Sequence, residues 1–327
     1  MRILVVKLSS LGDLFHALPA VAQVKAATGA EIDWVANTGY AALVGRFAPV
    51  RRVIGFPRQQ FLARAPAFLR DLRAERYDLV LDLQGLMKSA LVAKAARGAR
   101  VIGPSFHREG SRWLYNAVTG PRNKERHAIE ENLDLLDHLG IARGPVTYPV
   151  RFDPPGALPS GPRIALLPCS RWPTKNWPPD HFAAVARALL PEASVFLFGA
   201  PEDRAACAAI AAAAPGVTDL CAKTSLLELG GWLGAMDLVI TVDSGPMHIA
   251  AAAGARVLAV FGATEHRRTG PYGDRHRVLT RDNLPCRPCL SRTCRLPERD
   301  IRCLTGLAPE RVIAASRELL ALSAADR

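Results

Sequence analysis

Thr147-Tyr-Pro-Val-Arg-Phe-Asp-Pro-Pro-Gly-Ala-Leu-Pro-Ser-Gly-Pro162 packs five prolines and two glycines into sixteen residues, near the middle of a 327-residue chain. Proline has no amide hydrogen to give a helix or an inner strand, and it biases the residue before it toward extended backbone. The stretch therefore reads as a linker, and the patterns on its two sides are read as separate units. On the N-terminal side, short β-branched runs at Arg2–Lys7, Glu31–Ala36, Arg51–Gly55, Tyr77–Leu83 and Arg100–Gly103 alternate with helical stretches at Ala65–Glu75 and Gly85–Ala96, and a helix from Ala128 to Leu139 closes the half. On the C-terminal side the alternation begins again. Strands are predicted at Arg163–Pro168, Ser194–Gly199, Asp237–Val242 and Arg256–Gly262, with helices at Asp180–Leu190, Pro201–Ala214, Leu226–Gly234 and Pro246–Ala253.

Strands alternating with helices make βαβ units and a mostly parallel sheet. The expected fold is thus α/β, with two Rossmann-like domains, 1–150 and 151–327, facing each other across a cleft. Ligands of such domains sit at the C-terminal ends of the strands. A last amphipathic helix, about 308–322, opens on Pro309 and Glu310 as a first helical turn prefers, and its position allows it to pack back on the N-terminal domain.

Hydrophobic residues make up 49% of the chain and charged residues 22%, which excludes a disordered protein. No apolar run approaches the length of a membrane span. Met1–Lys25 reads as strand then helix, with Asp13 and His16 interrupting what would be the apolar core of a signal peptide, so a cytoplasmic protein is expected. The net charge of +12 favours an anionic partner: a phosphorylated substrate, an acidic membrane surface or nucleic acid. No block of five or six like charges is present, and aromatics are only 6%, so nucleic acid is the disfavoured member of that set.

Three strand-to-helix loops carry groups able to do chemistry. Lys7-Leu-Ser-Ser-Leu-Gly-Asp13 puts Gly12 and two hydroxyls ahead of a helix N-terminus, and Asp13 either points into the site as a general base or merely caps the helix. Pro168-Cys-Ser-Arg-Trp-Pro-Thr-Lys-Asn-Trp177 offers Ser170, Arg171, Thr174 and Lys175 to a diphosphate, or is simply a solvated polar loop. In Val242-Asp-Ser-Gly-Pro-Met-His248, Asp243 ends a strand, Ser244 can cap, Gly245 lets backbone approach a ligand, and His248 follows one turn into the helix. There is no G-x-x-x-x-G-K-[ST], no G-x-G-x-x-G and no G-x-S-x-G, which excludes P-loop and dinucleotide-type phosphate sites and argues against an α/β-hydrolase.

With these loops in place the chain resembles the bacterial lipopolysaccharide heptosyltransferases of glycosyltransferase family 9, which have the GT-B fold. The resemblance is carried by Lys7–Ala20, Asp82-Leu-Gln-Gly-Leu-Met-Lys-Ser89, Arg171-Trp-Pro-Thr-Lys-Asn-Trp177, Asp243-Ser-Gly-Pro-Met-His248 and Phe261-Gly-Ala-Thr264 with Gly270-Pro-Tyr-Gly273, in the family's order over nearly the whole chain. Arg108–Asn116 and His127-Ala-Ile-Glu130 are similar to the heptosyltransferase I subgroup. The resemblance implies inverting transfer of heptose from ADP-L-glycero-β-D-manno-heptose to a lipopolysaccharide inner-core acceptor, Kdo-lipid A or heptosylated core, with no catalytic cofactor. It makes Asp13 the general base and Lys175 the group that meets charge on the departing diphosphate, with Ser244 and Gly245 at a helix N-terminus assisting. Ser170, Thr174, Glu202, Asp243 and His248 would hold nucleotide or sugar. Lys7, Ser9, Ser10, Gly12, Arg58, Arg64 and Arg112 would hold the anionic acceptor. A lipid acceptor implies peripheral contact with the inner leaflet.

One departure concerns Cys286-x-x-Cys289 followed by Cys294 and Cys303. Four thiols at this spacing suit a tetrahedral structural Zn or Fe site, read as lying apart from the three loops. Similar clusters occur in iron-bearing family members that modify autotransporter proteins, which keeps a protein acceptor open as an alternative. The other readings are a sugar-nucleotide 2-epimerase, a non-catalytic nucleotide-sugar-binding protein, and a nucleic-acid protein that uses the cysteines as a zinc module.

Overall fold

The computed structural model describes residues 1–123, 125–281 and 283–325. The chain divides into two compact units, Met1–Arg151 and Phe152–Arg327. The first runs β1 (Arg2–Val6), α1 (Leu11–Thr28), β2 (Glu31–Asn37), α2 (Ala41–Val44), β3 (Val50–Phe56), α3 (Phe61–Leu72), β4 (Arg76–Tyr77), β5 (Leu79–Asp82), α4 (Met87–Ala95), β6 (Arg97–Gly98), β7 (Val101–Pro104), β8 (Ala117–Thr119) and α5 (Ala128–His138). The second runs β9 (Arg163–Leu167), α6 (Pro179–Leu189), β10 (Ser194–Leu197), α7 (Arg204–Ala213), β11 (Thr218–Asp219), α8 (Leu226–Gly234), β12 (Leu238–Val242), α9 (Gly245–Ala252), β13 (Val257–Phe261), α10 (His266–Thr269), β14 (Arg277–Thr280), α11 (Arg302–Thr305) and α12 (Pro309–Ala325).

Each unit holds one six-stranded sheet, ordered β3-β2-β1-β5-β7-β8 in the first and β11-β10-β9-β12-β13-β14 in the second. All pairings are parallel. Parallel neighbours need a crossover, and a right-handed crossover puts helices on both faces of the sheet. The inner strands are therefore apolar on both sides: Ile3 to Val6, Ile164 to Leu166 and Leu238 to Ile240 are all fully buried. The order reverses direction at one place in each sheet, between β1 and β5 and between β9 and β12. At such a reversal the two flanking loops diverge and leave a crevice at the carboxyl ends of the strands. The α/β expectation with two Rossmann-like halves is met.

In the first unit α1 lies along α5, and Trp34, Phe47 and Phe15 pack edge to face with ring centroids 5.6 Å apart for each successive pair. In the second, α12 packs on α6, β12 and β13 of its own unit, where Val312 and Leu319 join the core around Ile164, Leu166 and Phe182.

The proline-rich linker is fastened at successive residues. Arg151 donates its amide to the Arg46 carbonyl at 3.1 Å, within the first unit. Phe152 and Asp153 lie against α8 of the second, in front of Gly230 and Gly231. A Cβ on Gly230 would stand 2.0 Å from the Phe152 ring, and one on Gly231 would stand 1.7 Å from the Asp153 carbonyl oxygen. Two adjacent glycines normally weaken a helix. Here they let the linker backbone sit directly on it. Gly231→Ala, which would gain roughly 1 kcal/mol in an unobstructed helix, should instead cost about 1–3 kcal/mol by overpacking. Urea unfolding checks this, and an unchanged or raised midpoint would refute it.

Candidate functional site

The first unit's crevice opens where β1 gives way to α1. Lys7, one residue past β1, is buried, and its ammonium donates to the Leu83 carbonyl just past β5 at 2.6 Å. Gln84 completes the stitch, its Oε1 accepting the amides of Leu8 and Ser9, each at 3.0 Å. Asp82, at the end of β5, is buried and accepts from Tyr115 Oη (2.7 Å), Ser89 Oγ (2.8 Å) and the amides of Gln84 (2.8 Å) and Gly85 (3.1 Å). Burial pushes the Asp82 carboxyl up against the pull of those donors.

Asp13 stands in the first turn of α1. Its Oδ2 accepts from the Ser10 amide at 2.7 Å and the Ser10 hydroxyl at 2.8 Å, so the capping role is real. Its Oδ1 lies 3.7 Å from His16 Nδ1, one turn on, and 39% of the side chain is exposed. Partial burial by itself would raise this carboxyl. The Lys7 ammonium, His16 and the Ser10 amide outweigh burial and hold it well below the usual carboxylate range. Burial in turn lowers Lys7, against the favourable fields of Asp13, Asp82 and Glu131. The result is a carboxylate of low proton affinity that is part cap and part open group. Capping and catalysis, posed as alternatives for Asp13, are compatible in this geometry.

The residues assigned to an acceptor fall into two sets. Lys7, Ser9, Ser10 and Gly12 cluster around Asp13, although Lys7 is turned inward to Leu83 instead of outward to a ligand. Arg58, Arg64 and Arg112 are exposed, the first two before and within the first turn of α3, the third on the turn 111–114 with its guanidinium donating to the Tyr115 carbonyl at 3.1 Å.

In the second unit the loop after β9 is tied by Asn176, whose Oδ1 accepts the Ser170 amide at 2.7 Å. The single 3-10 turn Pro173–Lys175 then delivers Lys175 to the end of β12, where its Nζ lies 2.7 Å from Asp243 Oδ2. Thr264, following β13, donates to the same oxygen at 2.5 Å. Both ends of the ion pair are mostly shielded, with 17% of Lys175 and 7% of Asp243 exposed. Lys175 also lies 4.7 Å from the Trp172 ring centroid. Ser244 is buried at the N-terminus of α9, its Oγ 3.4 Å from Thr241 Oγ1, with Gly245 the first helical residue and His248 buried one turn on. Glu202 is exposed in the turn after β10. Trp177, although next to this loop in sequence, belongs to the core and donates its indole N–H to Leu307 at 3.0 Å.

The cysteine segment differs from the expectation in two respects. Cys286, Cys289, Cys294 and Cys303 do line one cavity of about 250 Å³. They do not converge as ligands: among the described residues no group of three or more His, Cys, Asp or Glu is placed to hold a metal ion. Cys286 and Cys289 are exposed, and the Cys294 thiol donates to the Asp300 carbonyl at 3.0 Å. Burial and the other three thiols raise Cys303. The residues as arranged do not fit a structural Zn or Fe. Nor does the segment lie apart from the loops, because Thr174, assigned to the donor, donates its hydroxyl to the Ser291 carbonyl at 2.7 Å.

The shielded Lys175–Asp243 pair gives a direct test. Lys175→Met should cost about 3 kcal/mol of stability, because it leaves a mostly buried carboxylate without its cation. Adding Asp243→Asn should restore most of that loss, giving a coupling well outside additivity. Additive losses in urea unfolding would deny the pair any energetic weight.

Residues 66–299 match the profile of glycosyltransferase family 9 (heptosyltransferase). Lipopolysaccharide heptosyltransferase 1 of Pseudomonas aeruginosa is 29% identical over 360 residues, covering 98% of both chains. The Escherichia coli (strain K12) protein of the same name is 30% identical over 307 residues, covering 87% of this chain and 95% of its own. Among solved structures, the E. coli heptosyltransferase WaaC with ADP superposes with a TM-score of 0.80 at 27% identity, over 98% of this chain and 100% of that one. The profile spans most of the chain, and the strand order and loops are those described above. The chain belongs to glycosyltransferase family 9 and is a glycosyltransferase of the GT-B type.

Proposed function

We propose that the protein is an inverting heptosyltransferase that moves heptose from ADP-L-glycero-β-D-manno-heptose to a lipopolysaccharide inner-core acceptor, Kdo-lipid A or heptosylated core. The observation that carries this reading is the ionised, part-exposed Asp13 carboxylate at the end of β1, held by Lys7, His16 and Ser10. The names and coverage of the relatives support the substrate class.

In this reading the first unit binds the acceptor and the second binds the nucleotide sugar. The acceptor hydroxyl lies against Asp13. As its oxygen attacks the anomeric carbon from the face opposite the diphosphate, its proton passes to the carboxylate and the bond from C1 to the diphosphate oxygen breaks. A carboxylate of such low proton affinity accepts the proton late, when the new C–O bond has made the hydroxyl acidic. In the second unit, the N-terminus of α9 at Ser244 and Gly245 presents backbone dipoles to the leaving diphosphate, with Lys175 alongside. Ser170, Thr174, Glu202, Asp243 and His248 complete the donor side; from the hydrogen bonds above, Asp243 and Thr174 act by holding Lys175 and the loop in place. Arg58, Arg64 and Arg112, exposed on the first unit, suit the carboxylates and phosphates of a lipid-linked acceptor. The same acceptor makes the protein cytoplasmic, with peripheral contact at the inner-leaflet surface. No helix among the described residues is long and apolar enough to cross a membrane.

Two measurements test the reading. Incubation with ADP-heptose and a panel of Kdo-lipid A, heptosylated core and an autotransporter protein should give transfer to a lipopolysaccharide acceptor, and ADP should protect the protein against heat more than UDP or GDP. Transfer to the protein alone, or preferential stabilisation by UDP, would reject the assignment. Asp13→Asn should lower kcat about 100-fold or more with ADP affinity nearly unchanged. Since the Asp13 carboxyl is held below the ordinary range, the wild-type rate should show no acid limb above about pH 4. An acid limb near neutrality would give the base role to another group.

A further inference from the structure

Between β14 and α11 the chain carries the cysteine-bearing segment, and its middle is stitched to the second unit's loops at three points. Arg287 Nε donates to the Gly262 carbonyl at 3.0 Å, the Leu290 amide donates to the Ala263 carbonyl at 2.9 Å, and Ser291 accepts the Thr174 hydroxyl at 2.7 Å. These bonds run up to the residue just before Arg292 and fix where its backbone can be. Its guanidinium carbon lies 5.0 Å from the centroid of the Trp172 ring, and Lys175 Nζ lies 4.7 Å from the same centroid. Two cations thus share one indole at the end of β9.

Their electrostatic situations differ. Lys175 is 2.7 Å from Asp243, so at a distance the pair carries little net charge. Arg292 rests on a ring, and an indole face attracts a cation without neutralising it. A stacked guanidinium also keeps its planar fork of N–H donors directed outward from the ring, in the geometry that grips phosphate oxygens two at a time. A nucleoside diphosphate is a polyanion and needs more than a lysine whose charge is already matched.

We propose that Arg292 binds the diphosphate of the donor, carried to it by the cysteine-bearing segment, and that Trp172 is the plate that orients it. The inference rests on the reading of the second unit as the nucleotide-sugar half. It assigns the segment a recognition role in place of a separate structural clamp. It also accounts for Thr174, whose buried hydroxyl holds the segment against the loop that bears Trp172 and Lys175.

The test is calorimetric binding of ADP and of AMP to the full chain. Arg292→Ala should weaken ADP about 10-fold or more, the scale of losing a charge-assisted contact, and should weaken AMP clearly less, so that the preference for ADP over AMP shrinks. Arg292→Lys, which keeps the charge but loses the fork, should fall between. Trp172→Ala should act in the same direction, and combining it with Arg292→Ala should add little, since both remove one unit. Arg292→Gln, close in length and still polar, guards against a folding defect and should follow Arg292→Ala. If the wild type binds ADP and both Arg292→Ala and Arg292→Gln bind it equally well, the inference is overturned while the donor assignment stands. Equal loss of ADP and AMP in both variants also overturns it, since that pattern reports a damaged fold. A wild-type protein that binds no ADP rejects the donor assignment and this inference with it.

Discussion

The first unit depends on a lysine ammonium held out of water. A buried cation is costly unless carboxylates and hydrogen-bond acceptors surround it. Lys7 meets that demand with the Leu83 carbonyl and with the fields of Asp13, Asp82 and Glu131. The arrangement ties the end of β1 to the end of β5, the two strands between which the sheet order reverses. The crevice that sheet topology opens at this point is thereby cross-braced, by Lys7 to Leu83 in one direction and by Gln84 to the Leu8 and Ser9 amides in the other. The same ammonium lowers the proton affinity of Asp13. Structural support and electrostatic tuning are one interaction here.

The second unit repeats the topology and reaches a different electrostatic outcome. At its reversal point a lysine and an aspartate pair directly, with a threonine hydroxyl closing on the carboxylate. No surplus negative charge is displayed where the first unit displays Asp13. The short helix α9 begins beside the pair, and the backbone amides of its first turn add a favourable field for an anion there. One topology thus supplies a carboxylate-bearing crevice in one half and a charge-paired one in the other, and the proposed division into acceptor and donor sides rests on that asymmetry.

Much of this was legible in the chain because it is local. Apolar runs bounded by turn residues located β1, β9, β12 and β13 to within a residue or two, and the strand-loop-helix pattern picked out the three loops. Short edge elements were not legible. β8, β11 and β14 have two to four residues each, and three of the four positions in β14 are only partly buried, so no hydrophobic period announces them. Helix α3 starts at Phe61, ahead of the predicted Ala65, and runs on through Pro66 in its second turn. The pairings inside the site were beyond reach for another reason. Thr174 and Ser291 are 117 residues apart, and Lys175 meets Asp243 only because β9 and β12 are neighbours in the sheet. Lys7 was assigned to the anionic acceptor, and nothing in its neighbours in sequence tells that its ammonium turns inward to the Leu83 carbonyl. The cysteines were read by their spacing, which is a one-dimensional statement. Their segment is folded against other loops, and the four thiols line one cavity without converging as a ligand set.

Asp13 caps a helix with one oxygen and faces an open crevice with the same side chain. Residues that serve a site usually weaken the fold that carries them, so selection for durability and selection for activity pull apart. With Asp13 in its proposed role as base, the two coincide at this position. A chain that drifts toward a better-capped α1 keeps the carboxylate, and a chain that keeps the carboxylate keeps the cap. The position should therefore resist replacement under either pressure alone, and a stabilising screen blind to activity would have no reason to remove it.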